Sequence, residues 1–316
     1  MSNNLFTLDG VYPAVVTPFD QHQQLDEQGL ERLIEHCIGG GVAGLVIAGT
    51  TGEYYALRER ERVELFAAAA SHTGGRVSLI AGCNAGSTRG VTDYALGAKE
   101  LGYDAILLPV PHTSLPSQRE LASHFETVAK EVGLPVILYN FPARAGVEIA
   151  VETLELLRDV PEIVAIKEAS GDFSRFLAMR HRLGDDIAVS CGSDDQAYDY
   201  FMWGVQSWIA GTANVLPREH VEMVAAIRRG DLETARALHA AMVPWIQSME
   251  SGSYNQKAKL GLRLVGVEVG EVRGPLKPLP QDEAEAYEQI LRQAMEAAAG
   301  ITEAALSSEA QAAKAL

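Results

Sequence analysis

The sequence predicts an α/β protein, a (β/α)8 TIM barrel followed by a C-terminal helical extension. Short apolar runs bounded by glycine or proline recur eight times in about the first 230 residues, and a longer amphipathic stretch follows each run. The runs are continuously apolar, which is typical of parallel strands covered on both faces. Eight strand-then-helix units fit a closed barrel better than an open doubly wound sheet, which is the alternative and usually has fewer strands.

The predicted strands follow one another at short intervals along the chain. They cover residues 11–19, 42–49, 76–82, 104–110, 135–140, 162–168, 186–192 and 206–212. Between them lie segments, such as 25–40 and 117–133, whose apolar residues recur at three- and four-residue intervals and which end at glycine. That pattern is typical of amphipathic helices.

After residue 230 the alternation of strands and helices stops. Residues 231–316 contain helical patterns only, so we expect a barrel over residues 1–230 and a C-terminal helical segment over 231–316. The last 15 or so residues are alanine-rich and are expected to form a frayed, flexible tail.

Composition excludes several classes of function. The 316 residues have a formal net charge of −16 at pH 7. Binding to nucleic acid or to an anionic membrane needs clustered positive charge, so neither partner is expected. An anionic substrate would have to be held by a few well-placed cations.

The cysteines and the N-terminus indicate a reducing compartment. Cys37, Cys83 and Cys191 lie far apart, without the spacing of a zinc site, and are predicted to be small buried hydrophobic residues. The first ten residues lack the basic and apolar regions of a secretory leader, and no apolar run approaches about 18 residues. A cytoplasmic protein that needs no metal is therefore expected.

Polar residues at the predicted strand ends are the first candidates for an active site, because barrel enzymes build theirs at the carboxyl ends of the strands. Lys167 ends the sixth strand. It could simply reach past the rim into water, or it could be a nucleophilic amine whose pKa is lowered by loss of hydration. A neutral amine can attack a ketone, and the resulting protonated Schiff base stabilises a neighbouring carbanion. Tyr139 ends the fifth strand and could transfer protons beside it.

Three further stretches follow strands at the same end of the barrel. Thr50 and Thr51 lie in a glycine-rich loop after the second strand, which is either a plain turn or a cradle for a small carboxylate. Arg144 follows the fifth strand and could supply a bidentate fork for a carboxylate. Residues 192–201 follow the seventh strand; there Asp194 or Asp195 is expected to cap the next helix, while other polar groups could bind substrate hydroxyls.

Four motifs together resemble the dihydrodipicolinate synthase / N-acetylneuraminate lyase family. They are GTTGE at 49–53, YNFPARAG at 139–146, IKEASGD at 166–172 and GTANVLP at 211–217. The resemblance runs from about residue 10 to residue 295. It implies a (β/α)8 barrel with a C-terminal helical segment, usually a homotetramer built as a dimer of dimers. It also implies a lyase that needs no cofactor and forms Schiff bases with pyruvate or another 2-oxo acid.

The resemblance also implies roles for individual residues. Lys167 matches the Schiff-base lysine and Tyr139 the proton-transfer tyrosine. Thr50 and Thr51 match the pair that binds the pyruvate carboxylate, and Thr51 also matches the hydroxyl that relays protons to the tyrosine. Ile209 falls where the family places a backbone carbonyl near the lysine. Ser193 and Asp194 are further candidates for contact with the substrate.

Two features bear on the second substrate. Arg144 resembles the arginine with which the family's dihydrodipicolinate synthases hold aspartate semialdehyde. Those synthases also have a Tyr-Tyr pair after the fourth strand, whose second tyrosine enters the neighbouring subunit's site, whereas His112 and Thr113 stand in those places here. The alternative is therefore an aldolase or dehydratase of 2-keto-3-deoxy sugar acids or N-acetylneuraminate. A catalytically inactive binding protein and a metal-dependent aldolase are lesser alternatives.

Overall fold

The computed structural model describes residues 6–315 and contains a nearly closed barrel of eight parallel strands. The strands are β1 (Gly10–Pro13), β2 (Gly44–Ile47), β3 (Ser78–Gly82), β4 (Ala105–Pro109), β5 (Val136–Asn140), β6 (Ile163–Glu168), β7 (Ala188–Cys191) and β8 (Ser207–Ala210). Each lies within one of the eight predicted apolar runs or one residue outside it.

The order of the strands is that of a TIM barrel. From β2 to β8 each strand pairs in parallel with the next along the chain, and β8 pairs with β1. A bridge between Ala14 and Val46 joins the β1 and β2 sides, and the Val15 N–H donates to the Val46 carbonyl at 3.0 Å. The prediction of a barrel is confirmed, and the open doubly wound sheet is excluded.

The helices follow the strands around the barrel and then continue beyond it. Within residues 6–315 the α-helices are α1 (Glu27–Gly39), α2 (Glu59–Thr73), α3 (Thr88–Glu100), α4 (Gln118–Val132), α5 (Pro142–Ala145), α6 (Val151–Leu157), α7 (Phe173–Leu183), α8 (Ala197–Met202), α9 (Pro217–Arg228), α10 (Leu232–Glu250), α11 (Tyr254–Leu264) and α12 (Gln281–Ala315). None of these helices combines the length and the apolar character needed to span a membrane.

Local sequence explains where the longer barrel helices begin and end. The side chain of Asp26 accepts the Gly29 N–H at the start of α1. Ser117 and Glu120 form a reciprocal capping box at the start of α4. Gly133, in the left-handed conformation with φ of 62°, ends α4.

Apolar side chains form two layers. One fills the barrel interior, with Tyr12, Val46, Ile80, Leu107, Ile137 and Ile209 among its residues. The other packs between the strands and the surrounding helices. The three cysteines are buried and unpaired, as predicted.

The last helices pack against one another and against the loop that follows β2. The indole N–H of Trp245 in α10 donates to the Tyr287 hydroxyl in α12 at 2.9 Å. Lys259 of α11 forms a 2.8 Å ion pair with Glu53, which follows β2, and both side chains are fully buried. The helix α11 therefore lies beside the loop that contains Thr50 and Thr51.

Candidate active site

A cavity of about 340 Å³ opens at the carboxyl ends of the strands. Seven of the eight residues predicted for the site line it: Thr50, Thr51, Tyr139, Arg144, Lys167, Ser193 and Asp194. They lie on, or soon after, four different strands, so closure of the barrel brings them together.

Lys167 lies in the wall of this cavity, between Tyr139 on β5 and Ser190 on β7. Ala165, two residues earlier on the same face of β6, belongs to the barrel interior. The lysine side chain is consequently buried, and its Nζ lies 4.5 Å from the centre of the Tyr139 ring.

Burial changes the chemistry of the lysine. It lowers the pKa of Lys167 to about 8, against the opposing negative charge of Asp194. At that pKa roughly one amine in ten is neutral at pH 7, compared with about one in a few thousand for an ordinary lysine. Lys167 can therefore act as a nucleophile near neutral pH.

Gly192, which follows β7, gives the lysine the space that it occupies. A Cβ at this position would lie 2.8 Å from both Cγ and Cε of Lys167, and 2.7 Å from the Glu168 carbonyl oxygen. Such distances are shorter than van der Waals contact, so a larger residue would displace the amine.

Tyr139 presents a protonated phenol beside the amine. Burial raises the pKa of Tyr139, and the positive charge of Arg144 opposes that rise. The phenol is therefore protonated at neutral pH and can donate its proton. After it has donated, the phenolate readily takes a proton back.

The loop with Thr50 and Thr51 is held from two sides. The Thr17 hydroxyl donates to the Gly52 carbonyl at 2.5 Å. From α11, the Asn255 side-chain amide donates to the carbonyls of Thr50 and Thr51 at 3.4 Å. The two threonine hydroxyls are thus carried on a fixed loop in the cavity wall.

Arg144 lies in the short helix α5 at the rim and is exposed to solvent. Its guanidinium carbon is 5.9 Å from the centre of the Phe141 ring. No acidic side chain in residues 6–315 forms an ion pair with it. The guanidinium is available to a carboxylate that enters the cavity.

The expectation that Asp194 or Asp195 caps the next helix is wrong, since Gln196 stands at the N-cap of α8 and makes no side-chain cap bond. Asp194 is buried instead. Its buried carboxylate accepts hydrogen bonds from the indole N–H of Trp208 at 2.8 Å and from the hydroxyl of Tyr254 at 3.2 Å. It also accepts from the backbone N–H and the hydroxyl of Thr212, at 3.1 and 2.8 Å. These four donors hold the Asp194 carboxylate in the part of the cavity wall that faces Lys167.

Ile209, His112 and Thr113 are not among the residues that line the cavity. Ile209 pairs with Tyr12 and belongs to the barrel interior, and it is not part of the described cavity wall. His112 and Thr113 are exposed on the loop between β4 and α4. The His112 ring lies 6.2 Å from that of Tyr54 and does not line the cavity.

Polar cavity residues from the helical segment after the barrel had not been predicted. Glu250, Tyr254 and Asn255 enter the wall from the end of α10 and the start of α11. A search confined to strand ends cannot find them, because they belong to the helical segment after the barrel. The sequence contains no local signal that places this segment over the mouth.

Comparisons with known families and proteins agree with the fold. The model of the dihydrodipicolinate synthetase family matches residues 7–294. The chain is 37% identical over 293 residues to the 4-hydroxy-tetrahydrodipicolinate synthase of Nitratidesulfovibrio vulgaris, covering 92% of this chain and 98% of the relative. It is 36% identical over 286 residues to the enzyme of the same name from Stutzerimonas stutzeri, covering 90% and 97%.

Solved structures are similar over the same extent. The 4-hydroxy-tetrahydrodipicolinate synthase of Methylacidiphilum fumariolicum SolV superimposes with a TM-score of 0.90 at 31% identity, covering 94% of this chain and 99% of that one. The chloride-inhibited dihydrodipicolinate synthase of Acinetobacter baumannii, solved in complex with pyruvate, gives a TM-score of 0.88 at 33% identity, with coverage of 91% and 99%.

Proposed function

The chain belongs to the dihydrodipicolinate synthetase family, and we propose that it is a Schiff-base lyase that binds pyruvate or another 2-oxo acid covalently through Lys167. The observation that supports this most directly is the buried amine, with its pKa lowered to about 8, in the wall of a cavity that opens at the carboxyl end of the barrel. An exposed lysine would be almost entirely charged at neutral pH and could not attack a ketone.

In the proposed reaction the neutral Lys167 amine attacks the keto carbon and forms a carbinolamine. Tyr139, whose ring lies against the amine, protonates the hydroxyl that leaves as water, so that a protonated imine remains. Thr50 and Thr51 donate their hydroxyls to the carboxylate of the bound acid. Loss of a proton from carbon 3 of the imine then gives the enamine that reacts with the second substrate.

For the second substrate we propose aspartate semialdehyde, the reaction of a 4-hydroxy-tetrahydrodipicolinate synthase. Relatives of that name align over most of the chain, and Arg144 offers at the rim a guanidinium that has no acidic partner within residues 6–315, available for the carboxylate of this aldehyde. Consumption of pyruvate that depends on aspartate semialdehyde tests the proposal, and no turnover at saturating concentrations of both would contradict it.

A substitution of Arg144 tests in the same assay whether its guanidinium binds the aldehyde. We expect Arg144→Lys to raise KM for aspartate semialdehyde on the order of tenfold, because an ammonium cannot form the bidentate fork. KM for pyruvate should change little. Arg119→Lys, on the exposed first turn of α4, serves as the control.

A second candidate is cleavage or dehydration of 2-keto-3-deoxy sugar acids or N-acetylneuraminate. The observation that favours it is the cavity wall, where Asp195, Gln196 and Glu250 present hydrogen-bond acceptors suited to several substrate hydroxyls. The exposed His112 and Thr113 supply no phenol near the cavity from the loop after β4. Release of pyruvate from such acids would establish this candidate, and failure across a panel of them would remove it.

We further propose a cytoplasmic homotetramer, arranged as a dimer of dimers. The support is the family resemblance for the assembly, and the three buried cysteines that form no disulfide for a reducing compartment. Light scattering after gel filtration should then give a mass near four times 34.0 kDa. A mass near that of one chain would contradict the assembly.

A further inference from the structure

A continuous chain of hydrogen bonds leads from the cavity into the protein behind Lys167. The Tyr254 hydroxyl lies 3.2 Å from Oδ2 of Asp194, and the same oxygen lies 2.8 Å from the Thr212 hydroxyl. The Thr212 oxygen is also 2.8 Å from Nε2 of His220. The other ring nitrogen of His220 lies 2.7 Å from the Leu216 carbonyl oxygen.

The buried part of this chain has three close contacts between polar atoms, but only two hydrogens are available to form hydrogen bonds there. The contacts from Asp194 to Thr212, from Thr212 to His220 and from His220 to Leu216 each need a hydrogen. An ionised Asp194, the Thr212 hydroxyl and a neutral His220 supply two between them. A third proton, on Asp194 or on His220, completes all three contacts.

Bulk solvent does not reach this part of the chain of hydrogen bonds. Thr212 and His220 are fully inaccessible to solvent, and Asp194 is 3% exposed. Burial lowers the pKa of His220 to about 4, which keeps it neutral at rest. The N–H groups of Trp208 and Thr212 both donate to Asp194. With a carboxylate at Asp194 and a neutral His220, the chain holds two protons and has a place for a third.

Tyr254 connects this chain to the cavity. Its ring lines the wall, and Gly211 allows the approach, since a Cβ there would overlap the Tyr254 hydroxyl. Several charged or titratable groups face Asp194: Tyr139 on β5, Lys167 on β6, Cys191 on β7, Asp195 beside it, His220 on α9, Glu250 on α10 and Tyr254 on α11.

Charge balance also favours uptake of a proton here. A protonated imine on Lys167 is positive, and Asp194 beside it is negative. When the imine loses a proton from carbon 3, it becomes a neutral enamine. If Asp194 gains a proton in the same step, no isolated charge is left in the buried wall.

We propose that Tyr254 is a second acid–base residue of this enzyme, with Asp194, Thr212 and His220 as the positioning residues that hold its proton. The inference rests on the proposed function of Lys167. In the step, the C3–H bond of the protonated pyruvate imine breaks and its electron pair forms the C2=C3 bond, while the imine π pair moves to nitrogen. The Tyr254 oxygen takes the released proton as its own hydroxyl proton passes to Asp194, and both return when the product is protonated.

The test needs pyruvate alone, so it is independent of the second substrate. In D2O the enzyme should exchange the methyl hydrogens of pyruvate for deuterium, which proton NMR follows as loss of the methyl signal. We expect Tyr254→Phe to slow this exchange on the order of 100-fold, the range of a general acid–base contribution. Borohydride trapping of the pyruvate imine should continue in the same variant, which also shows that the variant is folded.

Two pairs of variants separate a proton chain from simple packing. Thr212→Ser keeps the hydroxyl and should retain the exchange, whereas Thr212→Val keeps the shape and should slow it. Tyr198→Phe, which removes a phenol outside the cavity, should leave both exchange and trapping unchanged.

Each outcome decides the proposal. The proposal would be overturned if Tyr254→Phe exchanged the methyl hydrogens at the wild-type rate. It would also be overturned if the wild-type protein trapped pyruvate but exchanged none of its methyl hydrogens. Loss of trapping in Tyr254→Phe would place the tyrosine before imine formation and would also overturn the proposed step. If the wild-type protein itself does not trap pyruvate, the proposed function of Lys167 fails instead, and this inference fails with it.

Discussion

Two opposing effects set the reactivity of Lys167. Removal from water disfavours the ammonium form, whereas the carboxylate of Asp194 favours it. Desolvation is the larger effect, and the pKa falls to about 8. The attraction to Asp194 limits how far the pKa of Lys167 falls. The same carboxylate would lie beside the positive charge of a protonated imine on Lys167.

The pH dependence of imine formation follows from this balance. The neutral amine is the reactive form, so the rate of reductive trapping with pyruvate should rise with pH and level off above about 8. Asp194→Asn removes a charge that raises the lysine pKa, so the midpoint should move to lower pH. Asp185→Asn, on an exposed aspartate, is the control. A midpoint near 10 in the wild type, or a shift to higher pH in Asp194→Asn, would contradict the assignment.

Gly192 provides a steric test at the same site. The methyl group of Gly192→Ala would overlap the lysine side chain, and we expect turnover to fall on the order of 100-fold, as for other small displacements of a reacting group. Gly97→Ala, at a helix position in α3 with open space around it, should leave turnover unchanged. Steady-state kinetics measure both, and equal activity of the two variants would show that the lysine does not need this space.

The residues on strand ends were predictable from the sequence, and their partners were not. Lys167 and Tyr139 end apolar runs, and barrel topology places both at one mouth. The environment of Asp194 depends on Trp208, Thr212 and Tyr254, which lie 14, 18 and 60 residues away in sequence. Local sequence favours a helix cap for this aspartate, and only the tertiary structure shows that the carboxylate is instead buried.

At the scale of elements, the loop after β2 depends on the helices that follow the barrel. Glu53 ends the loop in the left-handed conformation, with φ of 53°, and is fully buried against Lys259. The Arg273 N–H also donates to Glu53 at 3.0 Å. A buried carboxylate with these partners fixes the position of Thr50 and Thr51, three and two residues before it.

The buried pair gives a prediction about stability. Lys259→Met leaves Glu53 charged without its partner, and we expect a loss on the order of 3–5 kcal/mol in the free energy of unfolding. The double variant Lys259→Met with Glu53→Gln removes both charges and should recover part of that loss. Arg60→Ala, which breaks an exposed pair on α2, should cost less than about 1 kcal/mol.

Denaturant unfolding measures these differences, and KM for pyruvate provides a second readout. Because Glu53 holds the threonine loop, KM should rise in Lys259→Met and fall back in the double variant. Equal stability of the wild type and Lys259→Met would show that the pair does not anchor the loop.

The strands were the more predictable elements because continuous apolar runs bounded by glycine and proline have few other interpretations. The placement of α11 was not predictable. Its helical pattern is visible in the sequence, but its position over the mouth depends on distant contacts such as Lys259 with Glu53 and Asn255 with Thr51.

At the scale of the molecule, barrel closure assembles the cavity from residues that span most of the chain. The loop after β2, the ends of β5 to β8 and the start of α11 meet around one space of about 340 Å³. The protein has a net charge of −16, so its surface does not attract an anionic 2-oxo acid. In the proposed reaction the hydroxyls of Thr50 and Thr51, the rim cation Arg144 and the covalent bond to Lys167 hold it instead.

The most direct test of this account is peptide mass spectrometry after reduction of the protein with borohydride in the presence of pyruvate. The account predicts one added three-carbon group per chain, on the peptide that contains Lys167, and none when pyruvate is omitted. Modification of a different lysine, or no modification, would contradict it.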